Sequence, residues 1–160
     1  MDSLTNNYDD IHVVQGHNIQ QQFFNGEDMR QVILLDNQST TDIFCNPNLV
    51  ENIRKTPGTL TLSTNGGNLV TNTIADVPGY GTVWFHPTAL TNIFGFSNMR
   101  KKYPITYDNR ADTFTVHIPD KNETFINNGL GLYFFESKYT NKNSINVNAM
   151  VNDDDEATSL

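Results

Sequence analysis

Apolar residues along the chain fall in short clusters, and the spacing between clusters is that of strands and turns. Val32-Ile33-Leu34-Leu35 is an apolar run with β-branched residues that ends at Asp36-Asn37. A run of that length bounded by turn formers predicts a buried strand. Thr59-Leu60-Thr61-Leu62-Ser63-Thr64 alternates apolar and hydroxyl residues, the pattern of a half-buried strand. Asn65-Gly66-Gly67-Asn68 follows, and Asn-Gly is the strongest short hairpin signal; Leu69-Val70-Thr71-Asn72-Thr73-Ile74 is the returning strand. Pro78-Gly79-Tyr80-Gly81 is a further turn, before a strand at Thr82-Val83-Trp84-Phe85. Strands are predicted again over residues 105–107, 113–118, 123–126 and 132–135, separated by Asp/Asn-rich turns.

Two segments depart from this pattern. Asn46-Pro47 is a helix-start signal, and Leu49, Val50 and Ile53 then fall on one helical face, predicting a short helix over residues 48–54. Leu90, Ile93 and Phe94 have helical spacing in residues 87–99, a second candidate. Residues 31–136 therefore read as one mostly β domain with one or two short helices. Residues 1–30, rich in Asn, Asp and Gln, read as a partly disordered leader in which His12-Val13-Val14 is a weak strand. Residues 137–160 close with Asp153-Asp154-Asp155-Glu156 and read as an acidic disordered tail, because a block of like charge repels itself and stays solvated.

Composition narrows the function. A length of 160 residues suggests one domain with a real core. The net charge of −8 argues against a nucleic-acid-binding surface. No apolar run approaches the roughly 18 residues of a membrane-spanning helix, so no membrane partner is expected, and residues 1–10 carry no export signal. One cysteine, Cys45, excludes an internal disulfide and multi-cysteine zinc sites; flanked by Ile43 and Phe44, it reads as a buried, inert thiol. His12, His17, His86 and His117 are scattered, so no metal site is expected. Gly66-Gly67 lacks the Lys-Ser/Thr and the helix start of a phosphate loop.

Asp36 remains. It stands where the most apolar strand ends, in Leu34-Leu35-Asp36-Asn37-Gln38-Ser39-Thr40. Taking an ionised group out of water is costly, so its placement needs a reason. One reading is a turn aspartate that accepts from nearby backbone N–H groups. The other is a catalytic carboxylate on a rigid turn, with the hydroxyls of Ser39 and Thr40 as donors that orient it and favour its charged form.

The segment from residue 32 to residue 135 resembles the retropepsin-like aspartic protease segment of copia-type retrotransposon Pol polyproteins. The resemblance rests on several stretches in order. Leu34-Leu35-Asp36-Asn37-Gln38-Ser39-Thr40-Thr41-Asp42-Ile43-Phe44 is similar to the active-site strand and turn. Asn48-Leu49-Val50-Glu51-Asn52-Ile53-Arg54 follows at the expected distance. Pro78-Gly79-Tyr80-Gly81-Thr82-Val83-Trp84 is similar to the strand after the flap, and Asn92-Ile93-Phe94-Gly95-Phe96-Ser97 to the Asn-Leu-Leu-Ser-x-Ser helix. Lys101-Lys102-Tyr103-Pro104-Ile105-Thr106-Tyr107-Asp108 and Gly131-Leu132-Tyr133 complete it.

The resemblance implies a closed β-barrel subunit that forms a homodimer, each chain supplying one catalytic carboxylate, here Asp36. It implies an endopeptidase that processes its own Gag-Pol polyprotein in the cytoplasm, with no cofactor. Asn37, Gln38, Ser39 and Thr40 would support the active-site turn, and Asn65, Gly66, Gly67 and Asn68 would form the flap that closes over an extended peptide. Two carboxyls about 3 Å apart cannot both ionise, so the pair shares a proton: one member activates water and the other polarises the peptide carbonyl. The family turn reads Asp-Ser/Thr-Gly, whereas Asn37 and Gln38 follow Asp36 here, and Thr88 stands where a glycine is usual. A side chain at Gln38 is expected to crowd the cleft or strain the turn. The alternative function is therefore a catalytically inactive, retropepsin-like remnant serving as a binding or dimerisation domain.

Overall fold

The structure, a computed structural model, describes residues 10–14, 29–64, 67–129 and 131–136. Its strands are β1 (Ile11–Val14), β2 (Val32–Asp36), β3 (Ile43–Phe44), β4 (Glu51–Thr64), β5 (Gly67–Val77) and β6 (Gly81–Phe85). They continue as β7 (Asn92–Gly95), β8 (Ile105–Asp108), β9 (Thr113–Ile118), β10 (Lys121–Asn127) and β11 (Tyr133–Glu136). One α-helix, α1 (Phe96–Lys102), and 3-10 turns at Met29–Gln31 and Pro47–Leu49 complete the described elements. The strands join one 11-stranded sheet in the order β1-β4-β5-β6-β3-β7-β2-β11-β10-β9-β8. The fold is mostly β, as the residue pattern predicts.

The residues of β2 explain the arrangement. All five are buried, and successive side chains of a strand point to opposite faces. Val32 and Leu34 join a cluster with Leu60, Ile74, Trp84 and Ile93. Ile33 and Leu35 join another with Phe44, Val83, Phe94, Met99, Val116 and Phe125. Neighbouring strands divide the same way: Ile43 and Phe44 of β3, and Ile93 and Phe94 of β7, go to opposite clusters. A strand covered on both faces reads as a continuous apolar run, and Val32-Ile33-Leu34-Leu35 is one. To provide that cover the sheet turns back on itself. β4 and β5 cover one face of β2, while β9, β10 and α1 cover the other.

The strand order does not close into a barrel. β1 and β8 are its two ends, and among the described residues no pairing joins them. Closure needs tilt and stagger carried evenly round the sheet. Here β3 contributes two residues, and the β4–β5 register shifts twice, between Glu51 and Arg54 and between Lys55 and Leu60. The second shift takes up Thr56-Pro57-Gly58-Thr59 and accommodates a proline within a strand.

Both helix expectations need correction. Residues 48–54 form one 3-10 turn, Pro47–Leu49, and then enter β4. The cap signal is real, since the Asn46 side chain accepts from the Asn48 N–H at 2.9 Å. Cross-strand pairing then prevails. Asn52 takes a φ of 56°, and Arg54 forks onto Asp76 of β5 with both N···O distances 3.2 Å. In the second segment, Asn92–Gly95 is β7 and the helix begins only at Phe96. Ile93 and Phe94 must reach opposite clusters, which a strand permits and one helical face does not.

Part of the expected leader belongs to the fold. β1 runs parallel to β4, pairing Ile11 with Leu60 through Val14 with Ser63. The Arg30 guanidinium donates to the carbonyls of Pro87 and Cys45 at 2.7 and 3.1 Å. The remainder of the expected leader, residues 1–9 and 15–28, and the expected tail, residues 137–160, lie outside the described residues. No helix among the described residues is long and apolar enough to cross a membrane.

Asn92, fully buried at the start of β7, ties three segments together. Its Oδ1 accepts from the N–H groups of Cys45 and Asn46 at 2.9 and 3.1 Å. Its Nδ2 donates to the carbonyls of Arg30 and Val32, each at 2.9 Å. Truncation leaves buried backbone groups unpaired, so Asn92→Ala should cost at least about 2 kcal/mol in urea unfolding, against less than about 0.5 kcal/mol for Asn109→Ala at an exposed turn. Equal midpoints for the two variants would remove this role.

Candidate functional site

Asp36 is the last residue of β2 and is only 2 % exposed. β2 pairs on one side with β11, antiparallel, and on the other with β7, parallel. The parallel register sets Asp36 opposite Gly95. Beyond Asp36 the chain makes a tight turn closed by Ser39 N–H donating to the Asp36 carbonyl at 3.2 Å. Within it, the Gln38 N–H donates to Asp36 Oδ1 at 2.9 Å. That is an Asx-type contact, in which a short acidic side chain reaches the backbone two residues on. It is the backbone N–H contact expected of a turn aspartate.

The remaining turn residues differ from the expectations. The Ser39 hydroxyl, expected to donate to Asp36, donates to the Thr41 carbonyl at 2.8 Å and accepts from the Thr41 N–H at 3.1 Å. It closes the second half of the turn. Thr40 is exposed and offers its carbonyl to Asn98 Nδ2 at 3.0 Å. Asn37 and Gln38 are exposed on the surface beside Asp36. Gln38 does not carry the strain expected of a residue in a glycine position. The positive-φ non-glycine residues described are Asn52, Asp112 and Asp120, and the turn contributes none of them.

The glycine that this turn does require is Gly95. A Cβ there would lie 2.8 Å from the Ser39 carbonyl oxygen and 3.1 Å from the Thr41 nitrogen. Both are backbone atoms of the turn, so only a residue without a side chain lets β7 approach so closely.

A second carboxylate, Asp42, holds the same turn from its far side. It is 9 % exposed. Asp42 Oδ1 accepts from the Gly95 N–H at 2.7 Å and from Asn98 Nδ2 at 3.3 Å. Asp42 Oδ2 accepts from the Tyr80 hydroxyl at 2.6 Å. Lys102 Nζ sits 4.9 Å from the centre of the Tyr80 ring. Burial is the largest influence on Asp42 and pushes its carboxyl above the ordinary range; the bonds from Tyr80, Gly95 and Asn98 and the charge of Lys102 act against it. Residue pattern alone does not single out Asp42. The one signal available is an acidic residue directly before an apolar strand.

The expected flap is the distal end of the β4–β5 hairpin. Asn65 and Gly66 lie outside the described residues. Gly67 and Asn68 open β5, pair with Thr64 and Ser63, and are exposed. Behind them the hairpin is packed, with Leu60, Leu62 and Thr71 buried and β1 laid along β4.

Two cavities lie near the site. One, of about 160 Å³, is apolar and includes Ile33, Phe94, Tyr80, Met99 and Phe125, with the Lys121–Glu123 pair at 2.9 Å on its wall. Burial pulls the Lys121 ammonium down to about 8, opposed by Glu123, and burial likewise raises Glu123. The other, of about 410 Å³, is a cleft between Thr40, Asp42, Trp84, Asn98 and Lys101. Asp36 lines neither.

Cys45 is fully buried. His86 and His117 are separate, held by Thr88 and Thr106. Among the described residues no three His, Cys, Asp or Glu side chains gather as metal ligands would. Comparison with protein-family models, curated proteins and solved structures gives no match for the chain.

Two outcomes follow from this geometry. Gly95→Ala forces backbone against backbone, and by the usual range for overpacking should lower stability by about 1–3 kcal/mol; a denaturation midpoint equal to that of the wild type would contradict the close approach. Asp42 should also make stability depend on pH. An acid raised on folding contributes stability fully below its unfolded value and loses that contribution as pH rises through its folded value. Relative to Asp42→Asn, the wild type should gain stability on acidification from neutral toward about pH 4. A difference of the opposite sign in urea titrations at the two pH values would contradict a raised Asp42.

Proposed function

We propose that the chain is a retropepsin-like aspartic endopeptidase of the copia retrotransposon type, active as a homodimer with one catalytic Asp36 from each chain, and that its substrate is its own polyprotein. The observation that carries this reading is Asp36 itself: a buried carboxylate at the end of a strand covered on both faces, oriented by the Gln38 N–H, beside two exposed residues. A rigid strand end limits how far the carboxylate can wander, as a positioned acid or base requires. One carboxyl cannot serve as acid and base together, so a second Asp36 must come from a partner copy across a twofold axis. Exposed Asn37 and Gln38 are the residues available to meet that copy.

The inactive remnant, a binding or dimerisation domain, remains as the second reading. It is favoured by the Gln38 side chain, which stands exposed where the family turn has glycine.

A peptide-library cleavage assay near pH 5 and near pH 7 separates the two. The proposal expects pepstatin-sensitive cleavage that falls by at least about a hundredfold in Asp36→Asn. No cleavage by a folded dimer at either pH, or cleavage unchanged in Asp36→Asn, overturns it in favour of the binding domain.

A further inference from the structure

We propose that Asp42 is the positioning residue of the Asp36 turn: its carboxylate fastens Gly95 and Asn98 so that β7 and α1 hold Asp36 and the Gln38 N–H in register. This rests on the reading of Asp36 as catalytic and names a second residue on which that reading depends.

The connections are short. Asp42 Oδ1 receives the Gly95 N–H at 2.7 Å, and Gly95 stands opposite Asp36 in the parallel register. Gly95 also abuts the Ser39 carbonyl, which lies at the closed end of the turn. Asn98 donates through one amide nitrogen to the Thr40 carbonyl at 3.0 Å and to Asp42 at 3.3 Å. Residues 36–41 are thereby gripped between β7 and the first turn of α1, and Asp42 is the group to which both grips run. Its other oxygen is held by Tyr80, whose ring packs at a tilt against Phe94 with centroids 4.4 Å apart. The backbone of Asp42 is fixed as well, its carbonyl accepting from Trp84 N–H at 3.1 Å. A carboxylate suits this post because it accepts from three donors at once. An asparagine can replace it without loss of a bond: Oδ1 still accepts from Gly95 and Asn98, and Nδ2 donates to a Tyr80 hydroxyl turned to accept. An alanine leaves the Gly95 N–H buried without its partner.

The test compares Asp42→Ala, Asp42→Asn and Tyr80→Phe in the full chain. Amide exchange read by NMR reports the Gln38 and Gly95 N–H groups, with the Phe125 N–H as a control for the fold. The expected result is loss of protection at Gln38 and Gly95 in Asp42→Ala, with Phe125 unchanged, and recovery of both in Asp42→Asn. In the cleavage assay, kcat should fall by about tenfold to a hundredfold in Asp42→Ala with KM little altered, as for a misplaced catalytic group, and Asp42→Asn should restore it. Should Asp42→Ala not fold, Tyr80→Phe, which removes one donor alone, should still lower kcat and Gln38 protection in the same direction.

Wild-type protection at Gln38 and Gly95 in folded Asp42→Ala overturns the inference, as does failure of Asp42→Asn to restore it. With Asp42→Ala unfolded, a Tyr80→Phe chain with unchanged Gln38 protection overturns it too. If the wild type cleaves nothing, the reading of Asp36 as catalytic fails by itself, and the exchange data alone decide the role of Asp42.

Discussion

Burying β2 on both faces is the constraint from which the rest of the structure follows. A strand whose alternate side chains all need apolar neighbours cannot sit at an edge or on a half-exposed sheet. The chain meets that need by placing β7 and β11 on its flanks and bringing distant parts of the same sheet over its two faces. Asp36 shares the position without sharing the chemistry. It is fixed by its place at the end of that strand, and its polar demand is met by the backbone that follows it. The same rigidity that makes the core well defined makes the carboxylate well placed.

Two buried carboxylates stand at the two ends of the turn and are held differently. Asp36 has exposed turn residues beside it. Asp42 is enclosed by Gly95, Asn98 and Tyr80. Enclosure raises Asp42 and reserves its oxygens for holding other groups. Both of its oxygens are engaged, although Asp42 also lines the cleft of about 410 Å³ and Asp36 does not. Asp76 shows the contrasting outcome at the base of the hairpin. Burial pushes it upward, but bonds from Asn52, Arg54 and Thr82, together with the Arg54 charge, prevail and hold it below the ordinary range.

Most strands could be read from the residues because apolar alternation and turn formers mark them directly. The place of Asp36 at a strand end could be read because an acidic residue ends the most apolar run. What the pattern could not show was competition between local and distant partners. Asn46-Pro47 does cap a turn, yet Arg54 finds Asp76 across the hairpin and the helix stops after Leu49. Ile93 and Phe94 have helical spacing, yet each is drawn to a different cluster. The roles of Gly95, Asn92 and Asp42 depend on backbone that lies tens of residues away, and no local signal carries that information. Gln38 stands where the family turn has glycine, yet this turn needs no left-handed residue at that place. The closed barrel is an expectation of the resemblance alone, and the strand order shows an open sheet.

On the proposed function, one active site is assembled from two copies of Asp36. Mixing wild-type and Asp36→Asn chains at constant total concentration, with time for subunit exchange, tests it most directly. If the site is shared, a mixed dimer is inactive and an equal mixture retains about a quarter of the wild-type rate. If each chain acts alone, the same mixture retains about one half, and that result would contradict the account.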